Sequence, residues 1–355
     1  MRSEGVMSGV MIAAGVALLL LGLWDTAVTV LHPVRRGPLS YAISRGTWLV
    51  VRTLSRRLGN TRLLSFAGPA AMAGGFFGWV GGLWVGFALI YLPFIDRFSY
   101  SETVPFGSKG IAEALYVSAV SLTTVGFGDV VASSDALRLV TVAESASGLA
   151  AITAAITYLL SVYPLVTRQR SAALHASDLG LTDPAQVVRV AIHGGPTVLA
   201  DLQHALIEAH QNVTRFPVLY YFHPDQPEES MNRLLRAGIV VCLVLRWGVR
   251  QDDQRIPVVL GPALEATVRR VVNDYDANYV GGLSSSGGQP APLDPAEAAA
   301  RLDRLRAEVD QAMPGLQATG QEVAKEFASF LAWADARLAR LAQEHGFEDQ
   351  ALLGT

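Results

Sequence analysis

Three long apolar stretches constrain this chain more than any other feature. They run from about Val6 to Leu31, from about Ala70 to Ile95 and from about Leu137 to Val166. The hydrocarbon core of a bilayer takes about 20 apolar residues of helix, and each stretch meets that length. At that depth no water bonds free peptide groups, so a spanning stretch has to be helical. The first stretch is too long for the apolar region of a secretory signal, and no small-x-small cleavage site follows it. With 51% hydrophobic and 17% charged residues, the chain is too apolar for an ordinary soluble protein, but the excess is confined to residues 1–165. Residues 166–355 hold most of the acids and read as a soluble half. The net charge of −3 gives no basic bias toward nucleic acid. The lone cysteine, Cys242, excludes an intrachain disulfide and a multi-cysteine metal site; in the run Ile239–Leu243 it reads as a small buried hydrophobe.

The loops set the orientation. Arg35, Arg36, Arg45, Arg52, Arg56, Arg57 and Arg62 lie between the first two spans, with no acid among them. Such a loop resists translocation and is expected on the cytoplasmic side, which puts the N-terminus outside. The loop after the second span, with Asp96 and Glu102, is then outside, and the third span ends near Arg168 and Arg170 in the cytoplasm. Within the basic loop, Trp48, Leu49, Val50, Val51, Leu54 and Leu58 interleave with arginines at roughly helical spacing, as in an amphipathic helix lying on the inner leaflet. These arginines flank the spans and lack a three-residue period, which argues against a voltage sensor.

Between the second and third spans, Lys109–Leu122 is apolar but too short to cross, and Thr123-Thr124-Val125-Gly126-Phe127-Gly128-Asp129 follows it. A short helix and a glycine-alternating strand entering from outside make a re-entrant loop. Such backbone survives at membrane depth only when it is buried in protein or lines a watery cavity. Carbonyls aimed at a central axis can replace the hydration oxygens of a potassium ion. Aiming successive carbonyls the same way requires backbone that alternates in hand, which Gly126 and Gly128 allow at little cost. The Thr124 hydroxyl can add an innermost ring of oxygens, and Asp129 an acidic ring at the outer mouth that concentrates cations.

Thr124-Val125-Gly126-Phe127-Gly128-Asp129 closely resembles the selectivity filter of the potassium channel family, commonly Thr-Val-Gly-Tyr-Gly-Asp. Phe127 replaces the commoner tyrosine and removes a hydroxyl that would tie the filter to surrounding aromatic residues. The resemblance covers about residues 70–165 and implies an outer helix, pore helix, filter and inner helix. It implies K+ sites at Thr124, Val125, Gly126 and Phe127, with Gly128 completing the strand. It further implies a gating hinge at Gly148, 24 residues after the filter threonine, and a pore-lining stripe of Leu149, Ile152, Ile156 and Leu160. Such a stripe could close the pore by dewetting. Glu144, one helical turn before Gly148, is costly inside a span. It is expected to brace the pore helix through hydroxyls such as Ser121 or Thr123. A ring of carbonyls built from one strand per chain implies four chains, a homotetramer. Nothing in the sequence assigns a role to the first span.

In the second half, Asp183-Pro184 is expected to open a helix that ends at Gly194-Gly195-Pro196, and another runs from about Thr197 to Asn212. Pro217 and Tyr220-Tyr221-Phe222 interrupt, and two more helices cover about 227–249 and 262–279. Ala237–Leu245 is too short to span and reads as a buried core helix. Gly281–Pro292 reads as a flexible linker. Asp294-Pro295-Ala296-Glu297 resembles a capped helix start, in a helix that Pro314-Gly315 breaks after Met313. A last helix carries Phe327, Phe330, Leu331, Ala334, Leu338 and Leu341 along one face, to seal a domain or to meet a neighbouring subunit. The Gly-x-Gly-x-x-Gly turn of a nucleotide-binding regulator is missing, as are a P-loop and a calcium loop. His193, His204, His210 and His223 are scattered without i, i+4 spacing, which does not support a metal site; a pH-sensing role stays open. No cytoplasmic ligand can be named.

The sequence therefore reads as an all-α membrane protein: three transmembrane helices, a re-entrant pore helix and filter, and an α-helical cytoplasmic domain. Its expected division is 1–67 (first span and basic interfacial segment), 68–170 (pore domain), 171–280 (helical domain), 281–293 (linker) and 294–355 (C-terminal helices). It is expected to conduct K+ passively across a plasma membrane, one of prokaryotic type given the short loops and missing targeting signals. It needs no cofactor and no catalytic residues. The alternatives are a less selective cation channel and a membrane-tethered sensor with a non-conducting pore-like domain.

Overall fold

The structure is a computed structural model of the 355-residue chain and describes residues 2–31, 37–100, 110–194, 196–280, 293–318, 324–345 and 352–353. Arg35, Arg36, Glu102, Lys109 and the expected linker Gly281–Pro292 lie outside the described residues. The chain divides into two compact units. One comprises Met1–Leu54, Phe66–Tyr163 and Arg215–Tyr221; the other comprises Ser55–Ser65, Pro164–Thr214 and Phe222–Thr355.

The first unit holds the apolar helices. α1 spans Arg2–Leu31, α2 Pro38–Leu58, α3 Ala67–Tyr91, α4 Ile111–Leu122 and α5 Asp135–Asp178. Three of them are long and apolar enough to cross a membrane. α1 and α3 approach closely where Gly15 meets Gly86. A Cβ on Gly15 would stand 2.6 Å from the Gly86 carbonyl oxygen, so small residues let the two backbones touch. α2 forms where the basic amphipathic pattern lies, with Val50, Leu54 and Leu58 exposed along it. Trp48 is buried against Tyr220 and Tyr221, ring centroids 6.4 and 6.0 Å away. α5 outruns the expected end of the third span near Val166 and continues through Pro164 to Asp178. Past the apolar run, the buried Ala173 and Ala176 give it a core-facing side.

A short antiparallel ribbon supplements the helices. β1 (Phe98–Tyr100) pairs with β2 (Val130–Ala132) in the register Phe98↔Ala132, Ser99↔Val131, Tyr100↔Val130. Three residues per strand carry no readable alternation, so the ribbon was invisible in the sequence.

The second unit is helical: α6 Pro184–His193, α7 Pro196–Arg215, α8 Met231–Leu243, α9 Leu260–Tyr275, α10 Pro295–Ala312 and α11 Ala324–His345. Asp183 caps α6 by accepting the Ala185 N–H at 2.9 Å. Asp294 likewise accepts the Ala296 N–H at 3.2 Å. The acid three residues on does not complete a capping box, because Glu297 binds Arg301 at 2.5 Å instead. The helix expected over 227–249 ends earlier, and α8 widens into a π turn at Val244–Gly248; α9 widens likewise at Asp276–Val280. Ala237–Leu245 is a buried core segment throughout. The apolar face of α11 is also wholly buried, and Phe327 and Phe330 pack on Trp247 at 5.9 and 5.3 Å. Of the two roles open to that face, it seals the unit.

The histidines differ sharply in setting. His210 pairs with Asp274 at 2.7 Å. His223 is buried, and desolvation pushes its imidazole down to about 4. A folded state that refuses this proton is stabilised above the unfolded-state range near 6.5 and loses that stability as pH falls toward 4. We expect the thermal midpoint of the second unit, followed in the purified full chain, to fall over that window. His223→Gln should flatten the fall, and an unaltered pH profile would contradict the assignment.

Candidate functional site

α4 buries Ala114, Val117, Ser118 and Leu122. Trp84 of α3 holds it from behind: the indole N–H donates to the Leu115 carbonyl at 2.8 Å, and the Ser118 hydroxyl lies 2.8 Å from the Trp84 carbonyl, which shares that hydroxyl's proton with the Glu144 carboxylate. The C-terminal end of α4 closes in a Schellman arrangement. Thr124 N–H bonds the Ser121 carbonyl and Val125 N–H bonds the Val120 carbonyl, each at 3.1 Å. That motif needs a left-handed residue, and Thr124 takes it with φ of 58°. The cap therefore starts the alternation two residues before the first glycine. Gly126 follows with φ of +60° and Gly128 with +74°. Among the described residues, only Leu353 shares positive φ with Thr124 outside glycine, so Val125 and Phe127 keep the ordinary hand. Five consecutive residues thus alternate in hand, the geometry that turns successive carbonyls toward one side.

Both ends of this strand are tied down. At its far end the Tyr116 hydroxyl donates to the Asp129 carboxylate at 2.5 Å, and Val130 N–H bonds the other Asp129 oxygen at 3.0 Å. β2 then pairs with β1. Between the ties, residues 123–128 are all exposed on the single chain.

The knot behind the loop is Glu144. Its side chain is fully buried and accepts hydrogen bonds from the Tyr91 hydroxyl of α3 at 2.6 Å and from the Ser118 hydroxyl of α4. One carboxylate on α5 thereby joins three helices. The brace expected through Ser121 or Thr123 runs through different hydroxyls. The Thr123 hydroxyl turns back to the Ala119 carbonyl at 2.6 Å, and Ser121 offers its carbonyl to the Ser145 hydroxyl at 2.8 Å. Ser118 sits a turn earlier on α4, on the side that faces α5, and Tyr91 brings its polar tip from the end of α3. Neither could be paired with Glu144 by spacing along the chain.

Gly148 lies within continuous α5, and a Cβ there would run into the Leu122 carbonyl oxygen. The close approach of α5 to the end of α4 requires this glycine. Below it, Leu149, Ile152, Ile156 and Leu160 are all exposed on the single chain.

Residues 79–163 match the family model described as "Ion channel". The chain belongs to the ion channel family. The channel is 31% identical over 251 residues to a protein named uncharacterized membrane protein YdjJ, from Bacillus subtilis (strain 168). That alignment covers 68% of this chain and 72% of the relative. No solved structure matches the channel. The family match embraces the loop, the Glu144 knot and the exposed stripe of α5. It makes the protein an ion channel and not an enzyme.

The knot yields a stability prediction. Glu144→Ala leaves the buried Tyr91 hydroxyl without its acceptor, cuts the tie to Ser118 and should destabilise the purified channel by roughly 2–4 kcal/mol, read as a lower thermal midpoint in detergent. A change within about 0.5 kcal/mol, ordinary for a surface site, would contradict the three-helix role.

Proposed function

We propose that four copies of this chain surround one axis and conduct K+ selectively and passively. The observation that carries this reading is the run of alternating backbone hand from Thr124 to Gly128, left exposed on the single chain. Exposed peptide carbonyls cannot face hydrocarbon. Four such strands facing one another would give them ions to bind instead. Thr124, Val125, Gly126 and Phe127 would then supply the rings of oxygens, with Gly128 completing the strand, and Asp129, fixed by Tyr116, would set an acidic ring at the outer mouth.

The inner helix completes the assignment. Glu144 and Ser145 bind its upper part to the pore helix, and Gly148 places a weak helix former at the point where those ties end. We assign Gly148 as the hinge and Leu149, Ile152, Ile156 and Leu160 as the ring that narrows the inner pore. The arginines of the α2 region favour a cytoplasmic location for that segment. The N-terminus then lies outside and the second half inside a plasma membrane of prokaryotic type. Residues 68–170 form the pore domain in this reading; 171–280 and 294–355, joined by 281–293, form the cytoplasmic part. Its ligand is unassigned.

The test is ion flux into liposomes holding the purified full-length channel. K+ uptake that exceeds Na+ uptake and vanishes in Gly126→Asp is the expected result. Asp129→Asn should reduce flux several-fold at low K+ and low ionic strength, where a surface charge concentrates cations most. Equal K+ and Na+ uptake would favour a looser cation pore, consistent with Phe127 lacking a tyrosine hydroxyl. Uptake that survives Gly126→Asp would overturn the filter assignment.

A further inference from the structure

The first span carries an ionisable residue of its own, Asp25, fully buried in α1. Its carboxylate is surrounded by donors from two other helices. Leu39 N–H donates to Oδ1 at 2.7 Å, Ser40 N–H to Oδ2 at 3.1 Å and the Trp79 indole N–H to Oδ2 at 2.9 Å; the Ser40 hydroxyl also donates to Oδ2. Leu39 and Ser40 are the second and third residues of α2, whose N–H groups have no partner inside that helix. The amphipathic helix is therefore capped by a carboxylate from the first span. A charged residue in a span is costly unless it is paired, and this one is bonded on both oxygens.

Contact continues past Trp79. Its ring meets Tyr158 of α5 edge-on, centroids 6.4 Å apart, and Tyr158 lies between Ile156 and Leu160. Trp79, Phe76, Met72, Ile152, Ile156 and Tyr158 wall a cavity of about 310 Å³. The inner helix is held at Gly148 and Ser145 above this cavity, and beside it faces open space backed by an indole that Asp25 fixes.

We propose that Asp25 is a positioning residue for the gate: it holds Trp79 as a backstop against Tyr158 of the inner helix and so keeps α5 from closing on the cavity between them. This rests on the conduction reading above. Freeing the indole lets α5 shift into the cavity, which favours the open pore. The first span is then a working part of the channel.

Single-channel recording of the full-length protein in planar bilayers tests the proposal with Asp25→Ala and Trp79→Phe. The second variant keeps an aromatic ring at this position while removing the N–H, along with part of the indole's bulk. Each should raise the open-to-closed ratio about tenfold, the effect of losing a hydrogen bond to a charged group. Unitary conductance and K+/Na+ reversal potential should stay as in wild type. The double variant should add little to the larger single change, because both remove one interaction. An unchanged or lower ratio in Trp79→Phe, or additive effects in the double variant, would overturn the proposal. Misfolding of Asp25→Ala leaves the decision to Trp79→Phe. A second readout needs no current: spin labels at Leu160→Cys in a Cys242→Ala background should move apart across the assembled channel when Trp79→Phe is added, and unmoved labels would overturn the proposal. A silent wild type with moving labels would count against conduction alone.

Discussion

Peptide groups at membrane depth must find partners, and the organisation of the first unit follows from that constraint. α1, α3 and α5 satisfy it internally, as helices do. The segment after α4 does not. From Thr124 to Gly128 the backbone alternates in hand, so its carbonyls are not used up in a regular ladder. The chain accepts that liability in one short strand and secures both ends of it, with the Schellman closure of α4 before and the Asp129–Tyr116 bond after. In the proposed function, cations are the partners that such a row of oxygens would take.

Two buried carboxylates organise the helices around this strand in the same physical way. Glu144 collects hydroxyls from α3 and α4, and Asp25 collects N–H groups from α2 and α3. In each case an expensive group is placed where only groups from other helices can satisfy it, so the arrangement of helices is specified as well as stabilised. Apolar contacts between greasy helices in lipid cannot do this, since lipid tails compete with every leucine. The portion of α5 below Gly148 is tied by ring contacts such as Tyr158–Trp79 and not by a buried carboxylate of this kind among the described residues. Its Leu149 and Leu160 are exposed, and Ile152 and Ile156 line a cavity. Freedom is concentrated in the stretch where a gate would need it.

The spans, the short helix Ile111–Leu122 and the caps at Asp183 and Asp294 were legible because each rests on local chemistry: run length, a β-region cap with a side-chain acceptor, a proline at the first helical position. The left-handed glycines of the loop were legible for the same reason. Thr124 joining them was not, because its conformation is imposed by the end of α4 and not by its own side chain. The partners of Glu144 were misread, since helical spacing finds neighbours on one helix and Tyr91 comes from another. Asp25 escaped notice for a related reason: the stretch around it is apolar enough to read as a span, and its value lies in Trp79 and the start of α2. The π turns after α8 and α9 reflect packing of residues such as Trp247 that no periodicity reports.

The central claim is that the strand 124–128 selects K+, and the reversal potential of the channel tests it most directly. With a tenfold K+ gradient across a planar bilayer and Na+ making up the difference, a K+-selective pore reverses near the K+ equilibrium potential, about 59 mV from zero for a monovalent ion. Reversal there, with the channel full-length, is the result predicted. Reversal at zero would show that the alternating backbone does not discriminate between the two ions and would contradict the account.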